Sequence, residues 1–174
     1  LHILTRDGRL NQDSRRKLKQ VNHLCQFIAP LLQEVLGARG ELNLVDHGAG
    51  KSYLGFILYD LYLKSGKVGR VFGIEARAEL VARSSELALR LGFERMSFLN
   101  LTVAQAIESP DLPTQVDVVT ALHACDTATD DAIRFALQRQ ARFIVLAPCC
   151  QAEVATVMRK HKNSSLSASA LAEL

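Results

Sequence analysis

The 174 residues suffice for a single domain, and a 48% content of apolar residues can supply the core that such a domain buries. The formal net charge is only +3, no apolar run approaches the length of a membrane span, and nothing at the N-terminus resembles a signal peptide. Four cysteines in unpatterned positions fit reduced thiols in a cytoplasmic protein better than a disulfide framework.

The first predicted element is a long helix, in which apolar residues recur at helical spacing from about Asp13 to Leu36. Pro30 is expected to break or kink this helix, Gly37 to end it, and Gly92 to stop a later one. Strands and helices then alternate, which predicts an α/β fold with a doubly wound, mostly parallel sheet and helices on both faces. Strands are predicted near 42–46, 70–75, 96–101, 116–122 and 142–147, and helices near 51–64, 78–91, 129–140 and 151–160.

The most informative segment is the glycine turn that follows the first predicted strand, Asp46-His47-Gly48-Ala49-Gly50-Lys51. Gly48 and Gly50 have no Cβ and can take a positive φ, so the backbone there can approach a ligand closely. The helix after the turn aims unpaired N–H groups at the same place. The segment therefore predicts a ligand site at the end of the first strand.

Three nucleotide-binding interpretations compete for this turn. A phosphate loop needs G-x-x-x-x-G-K-[ST], but Val45 stands at the position of its first glycine. A dinucleotide fingerprint needs a third glycine, and that position is Tyr53. What remains is D-x-G-x-G, which suits a ligand with an amino-acid group and no phosphate at this end, such as S-adenosylmethionine.

A carboxylate ends the second predicted strand. Glu75 follows Gly48 by 27 residues, and an acid at this place in a nucleotide-binding βαβ unit can accept hydrogen bonds from both ribose hydroxyls. The alternative is a solvated charge at the end of a strand.

Two more clusters follow predicted strands. The fourth strand leads into His123-Ala124-Cys125-Asp126, and the fifth into Pro148-Cys149-Cys150-Gln151. Thr127 with Asp130, or Thr129, could cap a helix, but capping does not explain His123, Cys125 or Asp126.

A zinc site built from His123, Cys125, Cys149 and Cys150 is the metal-binding alternative. Adjacent cysteines cannot easily both bind one ion. We therefore predict no metal and expect buried thiols that line a pocket.

Together, the turn from Asp46 to Leu54, the string from His123 to Asp130 and the segment from Pro148 to Gln151 resemble class I S-adenosylmethionine-dependent methyltransferases. More narrowly, they resemble the methyltransferase-domain family whose members include tRNA 2′-O-methyltransferase-like and ribosomal RNA adenine dimethylase-like proteins. The similarity covers about residues 10–160 and implies a Rossmann-like fold.

By position, the resemblance implies that Asp46, Gly48 and Gly50 contact the methionine part of the cofactor and that Glu75 holds its ribose. Residues 100–102 would flank the adenine. The full predicted set of cofactor-binding residues is Asp46, Gly48, Gly50, Lys51, Tyr53, Glu75, Asn100, Leu101, Thr102 and His123.

Methyl transfer needs alignment of the acceptor and removal of its proton, and His123 and Asp126 are the candidate catalytic bases. His123 would also border the sulfonium. The alternatives are a structural histidine for His123 and a helix-start anion for Asp126. The chain departs from its relatives at His47, where small residues or cysteine are more usual.

Three segments are predicted: a basic helical extension packed on the core (1–40), the cofactor-binding core (41–162) and a flexible or truncated Ser/Ala-rich segment (163–174). Five strands are predicted where seven are usual, so we expect the C-terminal strands to be missing from this chain. It also begins at Leu1 and not at Met, as expected of a fragment or a trimmed chain.

The first 20 residues carry six basic and two acidic side chains, which leaves 15 basic and 16 acidic ones elsewhere. This local excess, Arg6–Lys19, favours RNA (tRNA or rRNA) as the methyl acceptor. The lack of an apolar run of membrane-spanning length predicts no membrane partner. A solvated helix face is the alternative for the basic segment. The alternatives for the function are a small-molecule methyltransferase and a non-catalytic cofactor-binding domain.

Overall fold

The computed structural model describes residues 12–66, 68–122 and 127–147. This part of the chain contains five strands that alternate with helices. The strands are β1 (Asn43–His47), β2 (Arg70–Glu75), β3 (Met96–Asn100), β4 (Val118–Leu122) and β5 (Phe143–Ala147). The helices are α1 (Gln12–Arg39), α2 (Tyr53–Leu58), α3 (Ala78–Arg90), α4 (Val103–Glu108) and α5 (Thr127–Gln138), and a π-helical turn (Tyr59–Leu63) continues α2.

All five strands are parallel and form one sheet in the order β3-β2-β1-β4-β5. Chain order therefore reverses between β1 and β4, which pair from Leu44 with Val118 to Asp46 with Thr120. In an open sheet of this kind, a crevice forms outside the carboxyl ends of the strands at the reversal point. The predicted α/β doubly wound fold is confirmed.

Consecutive residues of the central strands serve two separate cores, as the two-residue period of a strand requires. Leu44 lies in the core that includes Ile28 of α1, whereas its neighbour Val45 lies in the core that includes Phe135 of α5. Helices therefore cover both faces of the sheet, and β1 is buried between them.

Helix α1 is continuous through Pro30, so the predicted break at this residue is wrong. Proline removes one hydrogen bond to the carbonyl four residues earlier. Pro30 and Gln26 are both exposed, so water can satisfy that carbonyl. The predicted end at Gly37 is also wrong, because α1 continues to Arg39 and Gly40 takes the left-handed conformation (φ +73°).

One face of α1 anchors the helix to the sheet. Its buried residues are Cys25, Ile28, Leu32 and Val35, which recur three or four positions apart and pack into the same core as Leu44. Cys25 is a free thiol, and burial raises its pKa.

The end of α1 is tied to the sheet by a buried carboxylate. Arg39 Nη1 donates to Asp117 Oδ1 at 2.8 Å, and the Asn43 N–H donates to Asp117 Oδ2 at the same distance. This contact and the apolar face together set the position of α1 relative to β1.

Gly92 ends α3 as predicted. It has a φ of +65°, and the N–H groups of Gly92 and Phe93 donate to the carbonyls of Leu89 and Ala88, which is a Schellman motif. In contrast, Thr129 does not cap α5, because that helix already begins at Thr127.

The predicted helix at 151–160 and the C-terminal segment lie outside the described residues. Within the ranges that the structure describes, no helix is both long and apolar enough to cross a membrane.

Candidate functional site

The glycine turn follows the carboxyl end of β1, and several of its residues have a left-handed backbone conformation. The φ angles of Gly48, Gly50 and Ser52 are +64°, +56° and +48°. Ser52 is not a glycine, and such a backbone is strained unless its surroundings hold it in place. Here the Ser52 N–H donates to the Ala49 carbonyl at 2.6 Å, and the Ala49 N–H donates to the Ile74 carbonyl of β2 at 2.8 Å.

The carboxylate of Asp46 holds this turn in place through hydrogen bonds. It is buried, and its two carboxylate oxygens accept hydrogen bonds from the hydroxyls of Ser52 (2.8 Å) and Thr120 (3.0 Å). Burial raises the pKa of Asp46 to about 6, although these two hydrogen bonds lower it. Because Thr120 belongs to β4, Asp46 joins the turn to both central strands.

Two further glycines let the turn lie close to the sheet. A Cβ at Gly55 would come within 2.5 Å of Ser52 Oγ, in the hydrogen bond that secures the turn. A Cβ at Gly73 would come within 2.5 Å of the Phe98 ring and 3.4 Å of the Ala49 Cβ. Side chains at these places would displace the turn or its supports.

Glu75, at the end of β2, is buried beside the turn. Its Oε2 accepts the Gly50 N–H at 2.8 Å and Arg77 Nη2 at 3.2 Å. Its Oε1 accepts the N–H of Arg77 at 3.0 Å and Nε of the same residue at 2.9 Å. The hydrogen bonds from the Arg77 side chain are the main reason why the pKa of Glu75 is lowered, and burial opposes them.

A cleft of about 320 Å³ opens in front of the turn. Within the described ranges, its lining includes most of the turn, apolar residues of α1 and β4, and Arg77, but not Glu75. The lining residues are Val21, Leu24, Asp46, Gly48, Ala49, Gly50, Lys51, Tyr53, Leu54, Arg77 and Leu122.

The shape of the turn fits a ligand that approaches the backbone. A Cβ at Gly48 would meet no atom within 4 Å, and one at Gly50 would meet only Arg77 Nη2, at 3.9 Å. Side chains at these positions would thus project into open space in front of the turn. The glycines leave this space free for a bound group.

The three residues predicted to flank an adenine follow the neighbouring strand, and none of them is in the lining of the cleft. Asn100 Nδ2 donates to the carbonyls of Glu75 (3.0 Å) and Ala76 (2.8 Å), so it secures the chain that carries the carboxylate. Leu101 packs on the core that includes Val45.

Thr102 is the N-cap of α4, in a capping box with Gln105. The pattern Thr102-x-x-Gln105 is the signal from which this unpredicted helix could have been found. The adenine assignment of Asn100, Leu101 and Thr102 stays a prediction.

Both candidate bases, His123 and Asp126, lie outside the described residues, as do Cys125, Cys149 and Cys150. The assignments to these residues therefore stay predictions. Of the residues that the sequence analysis did not single out, Ser52, Thr120 and Arg77 make the contacts that organise the described part of the site.

His47 lies at the end of β1 and is buried, with its ring 5.5 Å from that of Phe135. Burial lowers its pKa, although the charge of Asp131 opposes this effect. Among the described residues, His47 Nε2 has no hydrogen-bond partner. The imidazole therefore forms part of the packing between β1 and α5.

Comparison with solved structures shows the same fold in methyltransferases. Magnesium protoporphyrin IX methyltransferase (ChlM) from Synechocystis PCC 6803 with bound SAH is 18% identical, with a TM-score of 0.60 over 92% of this chain and 70% of that one. Precorrin-6y C5,15-methyltransferase from Geobacter metallireducens GS-15 is 18% identical, with a TM-score of 0.52 over 68% of this chain and 60% of that one. The bifunctional kinase-methyltransferase WbdD is 17% identical, with a TM-score of 0.52 over 72% of this chain and 28% of that one.

The chain thus spans between 28% and 70% of the length of these three structures. No curated protein matches it in sequence. A family model described as "Methyltransferase domain" matches residues 16–157, which is most of the chain. The chain therefore belongs to the methyltransferase-domain family, and the predicted class, an S-adenosylmethionine-dependent methyltransferase with a Rossmann-like fold, is confirmed at that level.

Proposed function

We propose that this domain binds S-adenosylmethionine in the cleft in front of the glycine turn and transfers its methyl group to RNA. The observation that carries the cofactor assignment is the open space at Gly48 and Gly50 beside an acidic strand end, Glu75. Glycines that free the backbone for a ligand and a carboxylate one strand away are the two parts that a nucleoside with an amino-acid tail requires.

The structure also argues against the two rival nucleotide sites. Val45, at the first glycine position of a phosphate loop, lies inside β1 and is fully buried, so no loop encircles a phosphate there. Tyr53, at the third glycine position of a dinucleotide site, begins α2 and lines the cleft. The side chain of Tyr53 therefore takes space that a pyrophosphate would need against the helix.

When bound, S-adenosylmethionine supplies a methyl group on a positively charged sulfur, which is already activated for displacement. The residues of the chain then have to bind, align and exclude water. Asp46 and Ser52 hold the turn in place, and Glu75 is the carboxylate that would bind the ribose hydroxyls. Val21 and Leu24 of α1 and Leu122 of β4 give the cleft an apolar wall.

RNA as the acceptor is supported by charge and by the position of α1. Arg15 and Lys19 are exposed on the helix that contributes Val21 to the cleft. With a rise of about 1.5 Å per residue, Arg15 lies about 9 Å along the helix axis from Val21. Cations at this distance can hold a phosphate backbone while a base or ribose reaches the cleft.

The cofactor assignment is tested by isothermal titration of S-adenosylmethionine into the wild-type protein and the variant Glu75→Gln. We expect affinity to fall at least about tenfold in the variant, since hydrogen bonds to an ionised acceptor are lost. Glu86→Gln, an exposed glutamate of α3, is the matched control and should bind like the wild type. Equal affinity in Glu75→Gln would contradict the ribose assignment.

The acceptor is tested by transfer of labelled methyl groups into total RNA and, in parallel, into an extract of small metabolites. We expect label in the RNA fraction, and prior digestion with ribonuclease should remove it. Label in the metabolite fraction alone would instead establish a small-molecule methyltransferase. Tight cofactor binding with no label in either fraction would favour a non-catalytic domain.

A further inference from the structure

The carboxylate of Glu75 has no free acceptor position in this structure. An ionised carboxylate offers about four lone-pair positions on its two oxygens. Glu75 already accepts four hydrogen bonds: one from Gly50, one from the Arg77 main chain and two from the Arg77 guanidinium. Two hydroxyls that approach this carboxylate must therefore displace two of the present donors.

Only two of the four donors can leave without moving the backbone. The Gly50 N–H belongs to the turn, which is held by the hydrogen bonds of Ala49 and Ser52. The Arg77 N–H precedes α3, where the Arg77 carbonyl accepts from the N–H groups of Leu80 and Val81. The guanidinium, in contrast, is at the end of a flexible side chain that is 62% exposed.

The guanidinium also lies on the side from which a ligand would come. Arg77 lines the cleft, whereas Glu75 behind it does not. Arg77 Nη2 is 3.9 Å from the place where a Cβ of Gly50 would stand, in the space that the turn leaves open. The side chain of Arg77 thus covers Glu75 on its cleft side.

We infer that Arg77 is a displaceable latch on the cofactor site: its guanidinium occupies the hydroxyl-binding positions of Glu75 and has to release them when a ribose binds. The inference rests on the proposed function. It assigns to Arg77 the role of setting cofactor affinity, because each binding event exchanges an arginine–carboxylate pair for hydroxyl–carboxylate hydrogen bonds. Arg77 then weakens binding and does not contribute to it.

The test is isothermal titration of S-adenosylhomocysteine, which is stable and has no net charge at neutral pH, into the wild-type protein and Arg77→Met. Methionine keeps an apolar stem and removes every donor of the guanidinium. We expect the variant to bind about two- to fivefold more tightly, which is the scale of an ion pair with an exposed partner. Arg83→Met, an exposed arginine of α3, is the matched control and should leave the affinity unchanged.

Salt gives a second measure of the latch. Added salt screens the exposed guanidinium of Arg77, so the wild-type affinity should rise as the salt concentration rises, and this trend should be absent in Arg77→Met. In the Glu75→Gln background, Arg77→Met should give no further gain. Arg77→Gln, which removes the charge and keeps a polar side chain, replaces Arg77→Met if thermal unfolding shows that the latter does not fold.

Unchanged affinity in the Arg77 variants would overturn the latch, and weaker binding would show that Arg77 contacts the ligand instead. These results differ from a failure of the proposed function. In that case neither the wild type nor any variant would bind S-adenosylhomocysteine.

Discussion

Burial and hydrogen bonding act on the pKa of Asp46 in opposite directions. Its carboxylate must accept from Ser52 and Thr120 to hold the turn, yet burial makes its ionised form costly, and the pKa rises to about 6. In the unfolded chain the same group has a pKa near 3.8. The folded protein therefore binds a proton at Asp46 more tightly than the unfolded chain does.

This difference predicts how stability depends on pH. The stabilisation from protonated Asp46 is fully present below about pH 4 and is lost as the pH rises through about 6. The total change is roughly 2 to 3 kcal/mol. In Asp46→Asn, which keeps a side chain able to bond both hydroxyls, this contribution should disappear.

Denaturant unfolding at pH 4.5 and pH 7.5 measures the effect. The free energy of unfolding of the wild type, relative to that of Asp46→Asn, should be lower at pH 7.5 than at pH 4.5. Asp60→Asn, at an exposed position, serves as the control and should show no such trend. A constant difference between wild type and Asp46→Asn would mean that Asp46 titrates as in the unfolded chain.

Single residues also show how far sequence reasoning reached into the site. Gly48, Gly50 and Glu75 were predicted because their residue types suit only a few roles at the ends of strands. Ser52, Thr120 and Arg77 were not predicted, since a serine, a threonine or an arginine occurs in many environments. Their contacts become visible only when the turn, β4 and β2 are placed side by side.

Between elements, the close approach of the glycine turn to β2 and β3 depends on Gly73. Nothing in its sequence neighbourhood distinguishes this glycine from any other in a strand. In the sheet, however, it lies between Phe98 on β3 and Ala49 in the turn. A larger residue at this place would push against both.

We therefore expect Gly73→Ala to lower the free energy of unfolding by about 1 to 3 kcal/mol, the usual effect of overpacking. Gly37→Ala, in helix α1, is the contrasting control. A Cβ there meets no atom within 4 Å, so that variant should be neutral or more stable by up to about 1 kcal/mol. Denaturant unfolding measures both.

The origin of the effect can be checked by a double-mutant cycle. Phe98→Ala removes the ring atoms that the new Cβ would meet at 2.5 Å. Gly73→Ala should then cost clearly less in the Phe98→Ala background than in the wild type. Equal costs in the two backgrounds would assign the destabilisation to the strand backbone and not to the ring.

Among the helices and strands, those with a clear hydrophobic period and a glycine at their end were predicted best. β2 has the bounds expected, and Gly92 ends α3 through a Schellman motif, as its sequence indicates. Helix α4 was missed because it is only six residues long, which is too short to show a helical period of apolar residues. Pro30 was expected to break or kink α1, and the break was wrong, since a helix held by tertiary packing tolerates one lost hydrogen bond at an exposed position.

For the whole molecule, helix α1 connects the basic segment with the cleft. Its buried face packs on the sheet, Val21 and Leu24 line the cleft, and Arg15 and Lys19 are exposed. If RNA is the acceptor, these two cations contribute to a binding energy that depends on salt. They should not affect cofactor binding.

The double variant Arg15→Glu/Lys19→Glu tests this arrangement. Binding to single-stranded RNA, measured by fluorescence anisotropy between about 50 and 200 mM salt, should weaken, and the slope of log affinity against log salt should become less negative by about 1.4. Both side chains are exposed, so the fold should tolerate the change. Arg83→Glu/Arg90→Glu on α3 is the matched control, and equal loss in both variants would indicate only a nonspecific effect of charge.

The sequence by itself determined the order of the five strands and the positions of the glycine turn and of Glu75, because glycine spacing and hydrophobic period act locally along the chain. The assembled sheet decided what these groups contact. It brought Thr120 to Asp46 across 74 residues, placed α1 against the cleft and set the Arg77 guanidinium on Glu75. These contacts depend on strand register and on the reversal of the sheet at β1, which follow from packing both faces of the sheet and have no local signal.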